Sequence, residues 1–321
     1  MKLVFFDIEC ASVFKNVAKI CAFGYCVCDM NFNVLEKRDV LINPKGKFHL
    51  TDRKGQRGLV LPYDYDEFKN YPSFPHVYDE IKSLLEDKDN LVFGHSTCND
   101  VRYLSLETKR FKLPPFNFEF YDSQILYMAQ TDDFSRQFGL EHITQDLDVV
   151  FTPHRAADDA YATMKVVQAL CQKNGCDVLE LNRRFKVKAG KTHDCNIIRP
   201  ICKGMIDYEN AKKRQKQARS LTRMQFSVFL SKKQWMHKKK RNGIFCDKTF
   251  CFSKPIEDDL KTSIDLVEKV YALGGTYSQK LSKSNVYVHL SGDDSARLKS
   301  ATENENIEVM SLDKLLGMIN A

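Results

Sequence analysis

Four carboxylates and one imidazole, spread over three short segments, carry the chemistry this sequence offers. Asp7 and Glu9 close Phe5-Phe6-Asp7-Ile8-Glu9, Asp100 ends Gly94-His95-Ser96-Thr97-Cys98-Asn99-Asp100, and His154 and Asp159 lie in His154-Arg155-Ala156-Ala157-Asp158-Asp159-Ala160. Residues two apart on a strand project to one side, so Asp7 and Glu9 can reach a common site. Carboxylates brought together cannot all stay ionised without cations among them. Hard oxygen donors with few Cys or His neighbours select Mg²⁺ or Mn²⁺ over zinc. Two such ions about 4 Å apart activate a water and stabilise the leaving oxygen of a phosphodiester. An imidazole is the natural group to take the proton from that water. His154 precedes Asp159 by five positions, on the connection entering the helix that carries the acid. Taken singly these residues say little: a surface Asp such as Asp158 is usually a solvated charge or a cap, and a lone His such as His95 reads as structural. The weight lies in three segments in order, each attached to the apolar run it needs.

The elements that must present these groups follow from the patterning. Lys2 to Phe6 is predicted as a strand, Lys19 to Asp29 as a second, and Val34 to Ile42 as a third, ended by Asn43-Pro44. Residues 45–71 read as a long polar loop. Phe74 to Leu85 has Val77, Ile81, Leu84 and Leu85 at helical spacing. Asn90 to Gly94 is a strand that delivers residues 95–100 onto the start of a helix. Phe118 to Tyr121 precedes Asp122 and is followed by helices around Ile125 to Met128, Leu140 to Leu147 and Ala156 to Leu170. Strands in a meander, then alternating with helices, give an α/β domain over residues 1–172. Residues 173–241 read as a basic, partly helical linker, with a polar helix from Glu209 to Ser220. Residues 242–321 show a β-α-β-β-α-β-α order, the fingerprint of a second, small α/β domain.

Charge divides the chain unevenly. Residues 173–241 hold 20 Lys and Arg against 5 Asp and Glu, whereas the whole chain carries +7. A basic segment beside an acidic, metal-seeking one suits a polyanion such as nucleic acid, with a solvated helical face as the bland alternative. Eleven Cys, an odd number without a C-x-x-C pair, fit reduced thiols in a cytoplasm better than a disulfide framework or a zinc site. The apolar stretches fall far short of a membrane span, and the N-terminus lacks a charged-then-apolar leader layout, so no membrane partner is expected.

The segments FDIE, GHSTCNDVRYL and HRAADDAYAT resemble the three motifs of the DEDD 3′-5′ exonuclease superfamily in its histidine-bearing branch, most of all the proofreading epsilon subunits of bacterial DNA polymerase III. The resemblance extends from residue 1 to about 172 and takes in Ile42-Asn43-Pro44, the Asp122 segment and Gly139-Leu140. It implies a ribonuclease-H-like fold with a mixed five-stranded sheet. It implies Asp7, Glu9, Asp100 and Asp159 as ligands of two Mg²⁺ or Mn²⁺ ions, with His154 as general base. The implied activity removes nucleoside 5′-monophosphates from single-stranded or frayed DNA 3′ ends, in proofreading or repair. Trimming of RNA 3′ ends and a non-catalytic docking scaffold are the alternatives. Two positions depart from the family pattern: Cys10 stands where Thr is frequent, and Ser96 where Asn is.

Phe250-Cys251-Phe252-Ser253, Gly274-Gly275, Val286 to Leu290 and Lys299 to Ala301 resemble a BRCT domain, which implies a docking role toward a protein partner. In phosphopeptide-binding members a Ser or Thr and a Lys at these places grip the phosphate, which would assign that role to Ser253 and Lys299. Lys254 replaces the usual Gly and the usual Trp of the last helix is absent, so docking without phosphate and DNA-end binding stand beside it. Gln225-Phe226-Ser227-Val228-Phe229 resembles the short peptide with which bacterial replication proteins dock on the sliding clamp; an apolar patch on a linker helix is the other reading.

Overall fold

A computed structural model describes residues 1–48, 61–150, 154–236 and 243–320. The chain divides into two compact units, Met1–Glu209 and Asn210–Ala321. The first unit begins with three antiparallel strands, β1 (Lys2–Phe14), β2 (Val17–Cys28) and β3 (Val34–Leu41). It continues through α1 (Phe74–Glu86), β4 (Asn90–Gly94), α2 (Cys98–Phe111), β5 (Phe118–Asp122), α3 (Ser123–Thr131), α4 (Leu140–Asp146), α5 (Ala156–Asn174) and α6 (Val178–Arg184). A hairpin of β6 (Gly190–His193) and β7 (Asn196–Ile198) follows, and then α7 (Lys203–Met236), which crosses into the second unit.

The sheet runs β3-β2-β1-β4-β5-β6-β7, with β4 parallel to both β1 and β5 and the other pairs antiparallel. Helices cover both faces, which is why β1 is apolar on both sides. Val4, Phe6 and Ile8 pack with Val77, Ile81 and Leu104 of α1 and α2, while Leu3 and Phe5 pack with Leu126 and Met164 of α3 and α5. The register of β1 on β2 continues to Phe14, with irregularities at Glu9/Cys10 and Cys10/Ser12. Asp7 and Glu9 therefore sit inside a strand, not at its end as the apolar run suggests.

Seven strands replace the expected five. The added pair comes from the stretch read as linker, joined by Asp194 and Cys195, which both take positive φ (50° and 60°). A two-residue hairpin turn with both residues left-handed is normally written Asn-Gly or Asp-Gly, so Asp-Cys hides it. The same stretch buries Val178 and Leu181 of α6 in the core shared with α5, so the compact boundary falls at Glu209 and not at residue 172. The polar helix expected from 209 to 220 is part of the longer α7. Of the segment read as a loop over 45–71, residues 49–60 lie outside the described ones. The rest holds a 3₁₀ turn at Glu67–Asn70, with Phe68 buried against Leu61, Tyr63, Tyr65 and Phe48.

The second unit contains β8 (Thr249–Phe252), α8 (Lys254–Asp258), α9 (Leu260–Ala272), β9 (Thr276–Tyr277), β10 (Val286–His289), α10 (Ala296–Thr302), β11 (Glu308–Ser311) and α11 (Leu312–Asn320). Its four strands are all parallel, in the order β11-β10-β8-β9. The Gly274-Gly275 turn leads into β9, and Phe226 and Leu230 of α7 join Phe250, Phe252 and Val288 in its core. This corrects the clamp-peptide reading: Gln225 to Phe229 is helical, Phe226 is fully buried against Tyr277, and the apolar-patch alternative accounts for it. All eleven Cys are free thiols. Among the described residues no helix is long and apolar enough to cross a membrane.

One contact decides how α5 meets the sheet. A Cβ built on Gly24 of β2 would lie 2.0 Å from the Ala156 carbonyl carbon and 2.1 Å from the Ala157 nitrogen. Gly24→Ala must therefore lift the first turn of α5 off the sheet. Since overpacking costs about 1–3 kcal/mol even where side chains can yield, and here the obstacle is backbone, we expect a loss of about 3 kcal/mol or more. Thermal unfolding should show the melting point falling by several degrees. Gly139→Ala, which meets nothing within 4 Å, should leave it unchanged.

Candidate metal centre

The acids converge by strand pairing and helix placement. Asp7 pairs with Gly24, and Gly24 with Asp39, so the three lie in one row across β1, β2 and β3. Laterally paired residues share a face of the sheet. Asp7 and Asp39 thus flank a gap without a side chain, and the start of α5 fills it. Asp159, in the first turn of α5, comes down beside Asp7 and Glu9, where one ligand oxygen from each of the three lies within 4.8 Å of the others. Asp158, its neighbour, is turned away and pairs with Lys37 Nζ at 2.5 Å. Asp100, in the first turn of α2, is buried and lies close enough to Asp7 and Glu9 to raise its pKa, but it is outside that tightest group of three.

Buried Asp122 of β5 holds α2 in place. Its carboxylate accepts from the backbone N–H groups of Ser96, Thr97 and Gln124 at 2.9–3.1 Å, tying the entry of α2 to the start of α3. Burial pushes its carboxyl up to about 6, against the pull of these donors. Ser96 takes the left-handed conformation (φ 53°), a region that Asn enters more readily than Ser, so the backbone keeps the turn despite the changed residue. His95 is structural: its ring contacts Ser123 Oγ at 2.9 Å and the Phe138 carbonyl at 3.0 Å, and burial lowers it to about 4.

The electrostatics describe a site short of positive charge. Burial, then Asp159 and Asp39, hold the Asp7 carboxyl well above its usual range. Burial followed by Asp7, Asp159 and Asp39 pushes Glu9 up to about 9. Asp100 is raised by burial, Asp7 and Glu9. Burial raises Asp159 to about 7, although a backbone hydrogen bond from His154 favours its ionised form. Among the described residues none of the four forms an ion pair with Lys, Arg or His. Close-set, partly buried oxygen donors without a protein counter-charge fit a divalent cation, and Asp39 Oδ1, buried without a hydrogen-bond partner, adds an unused acceptor beside them.

Other residues singled out in the sequence fall differently. His154 adopts φ 70° immediately before α5, and its half-exposed ring lies 3.7 Å from Glu141 Oε1, outside the group of three acids. Ser253 is fully buried with an unpartnered hydroxyl, and Lys299 is exposed. The Ser253–Lys299 phosphate grip is therefore not an open site: Ser253, the N-cap of α8, has no exposed surface. Asp39 escaped the sequence reading; the one available sign was an Asp inside a strand, where Asp is depleted.

The raised acids set a pH dependence. In the unfolded chain Glu9 loses its proton near 4.5 and Asp159 near 3.8, but the folded chain holds them to about 9 and about 7. Between those values the folded state binds more protons, so stability is greatest below the lower pair and falls as pH rises through the upper pair. Metal-free protein should thus melt progressively lower from about pH 5 to about pH 9, and saturating Mg²⁺ or Mn²⁺ should flatten the trend while releasing protons. Glu9→Gln should remove much of the slope in a pH series of melting curves. A metal-free melting point that rises over this window would contradict the electrostatics.

The solved structures similar to this chain include exonuclease I, at 16% identity and a TM-score of 0.47 over 58% of this chain and 43% of its own. Exonuclease I of E. coli with a dA16 oligonucleotide shares 17% identity, with a TM-score of 0.47 over 58% of this chain and 43% of its own. A 3′-exonuclease that recognises the histone mRNA stem-loop shares 10%, with a TM-score of 0.45 over 63% of this chain and 91% of its own. This chain thus spans less than half the length of exonuclease I. No curated protein matches it. Residues 4–167, just over half of the chain and the whole span from β1 through most of α5, match the Exonuclease family, RNase_T. The chain belongs to this exonuclease family, and its first unit carries the hydrolytic exonuclease domain.

Proposed function

We propose that the protein is a metal-dependent 3′-5′ exonuclease that hydrolyses single-stranded or frayed DNA ends to nucleoside 5′-monophosphates. The observation that carries this reading is the trio Asp7, Glu9 and Asp159 within a family-matched exonuclease domain, with Asp100 adjoining. These four acids would hold two Mg²⁺ or Mn²⁺ ions. Bound ions of this kind lower the pKa of a water and neutralise charge developing on a phosphodiester. His154 accepts the proton of the attacking water. Its backbone adjoins Asp159, and its half-exposed ring lies 3.7 Å from Glu141, beyond hydrogen-bonding range. Catalytic hydrogen bonds are often loose until substrate is bound. The choice of DNA, and of the 3′ end, rests on the motif resemblance to proofreading subunits.

The second unit is read as a BRCT-like docking module that recruits a protein partner. Its parallel sheet of order β11-β10-β8-β9, with α8 and α9 before β9 and α10 before β11, supports that reading. Along α7 a shallow groove of about 680 Å³ is lined by Lys212, Lys213, Lys216, Arg219 and Arg223, which suits the backbone of a nucleic acid.

Labelled DNA and RNA oligonucleotides, blocked at either end and incubated with Mg²⁺, test the assignment. The expected result is stepwise release of monophosphates from DNA with a free 3′ end, and none when that end is blocked. Preferential digestion of RNA would move the substrate class while leaving the site intact. Asp7→Ala should lower the rate by about 10³-fold or more, since a metal ligand and its transition-state stabilisation are lost together; an active Asp7→Ala enzyme would refute the site. Replacing Lys213, Lys216 and Arg219 by Ala should reduce the slope of log K against log salt by about 2 for single-stranded DNA. An unchanged slope would remove α7 from the binding surface.

A further inference from the structure

The row Asp7–Gly24–Asp39 has a second acid whose contacts run toward α5. Asp39 is nine-tenths buried on its side chain, and its Oδ2 accepts from Tyr63 Oη at 2.9 Å and from Arg155 Nε at 3.2 Å. The same Tyr63 hydroxyl accepts the Ala156 backbone N–H at 3.1 Å. Ala156 is the first residue of α5, and its N–H is one of those that a helix start leaves without an intrahelical partner. No side chain caps α5 from its own N-cap residue, Arg155. The cap is supplied from outside, by a tyrosine that follows β3 and is itself aimed by an aspartate of β3. Three residues beyond Ala156 the helix presents Asp159, and two residues before it stands His154.

We propose that Asp39 and Tyr63 are positioning residues of the active site: an outer clamp that fixes the first turn of α5, and through it Asp159 and His154, against the strand carrying Asp7 and Glu9. The inference rests on the proposed reading of the acids as metal ligands. Within the row, Gly24 gives this turn room but no side-chain contact, and outside it Lys37 of β3 holds Asp158 while the clamp holds the N-terminal end at Ala156. Arg155 closes the arrangement from the helix side by donating to the same Asp39 oxygen, so one carboxylate oxygen ties β3 to the residues on both sides of the cap. The other oxygen, Oδ1, is buried and has no hydrogen-bond partner among the described residues. Groups that orient metal ligands in this way matter through geometry, and their removal costs about 10–100-fold in metal affinity or activity.

Tyr63→Phe removes one oxygen and keeps the ring against Phe68. In the whole 321-residue chain it should lower kcat by about 10–100-fold with KM within about twofold, and weaken Mn²⁺ binding, read by calorimetry without substrate, by a comparable factor. Tyr65→Phe is the control: among the described residues its hydroxyl bonds the Leu61 backbone, in the same aromatic group, and the change should alter neither quantity. Asp39→Asn keeps an acceptor for Tyr63 and Arg155 and should retain more activity and Mn²⁺ affinity than Asp39→Ala, with melting curves confirming that each variant is folded. The proposal falls if Tyr63→Phe leaves both kcat and Mn²⁺ affinity within twofold, or if Tyr65→Phe is equally damaging, which would mark a general effect of the segment. Should the wild type bind Mn²⁺ yet hydrolyse no nucleic acid, the catalytic reading fails and the Mn²⁺ isotherms alone decide the clamp. A wild type that binds no Mn²⁺ sinks both.

Discussion

The acids of this protein can gather because one strand position has no side chain. Gly24 lies between Asp7 and Asp39 in the row that crosses the first three strands, and the backbone of Ala156 and Ala157 occupies the space any Cβ would need. That approach brings a helix start, and with it Asp159, within reach of a strand carrying Asp7 and Glu9. The rest of the first unit supports this geometry. Helices on both faces bury the strand from each side, and Asp122 uses backbone donors to hold the start of α2, where Asp100 sits.

The same closeness creates the electrical problem that a cation resolves. The acids are buried or partly buried, like charges crowd together, and no lysine or arginine among the described residues answers the four acids. Protons are held instead, at a cost that grows with pH. The nearby cations serve neighbours: Lys37 pairs with Asp158 and Arg155 with Asp39. This division leaves Asp159 unpaired, although Asp158 beside it is chemically identical. Helix geometry separates the two by about 100° around the axis, and only one faces the strand.

The strands and helices that bear the candidate acids were legible because apolar runs with a clear period mark them. Asn90–Gly94 and the spacing of Val77, Ile81 and Leu85 in α1 are examples. The β6–β7 hairpin was not legible, because Cys195 stands where a left-handed turn after Asp194 normally has Gly. Neither was the extent of the first unit. The many Lys and Arg after residue 172 conceal a few apolar anchors, Val178 and Leu181, that tie α6 into the core. Phe226 was misleading in the other direction, since a short apolar motif looks the same whether it docks on a partner or on its own fold.

The sequence by itself determined which acids were candidates for chemistry, by their types and order on apolar strands and helix starts, and the family whose pattern surrounds them. Periodicity and composition are local, and those features are local too. Tertiary structure alone decided which acids meet, that Asp39 joins the same row, that His154 holds Asp159 through its backbone while its ring faces Glu141, and that Ser253 is closed off. These depend on strand register and on how near a helix end can come to a sheet. Both are fixed by contacts between residues more than a hundred positions apart, as Gly24 and Ala156 show.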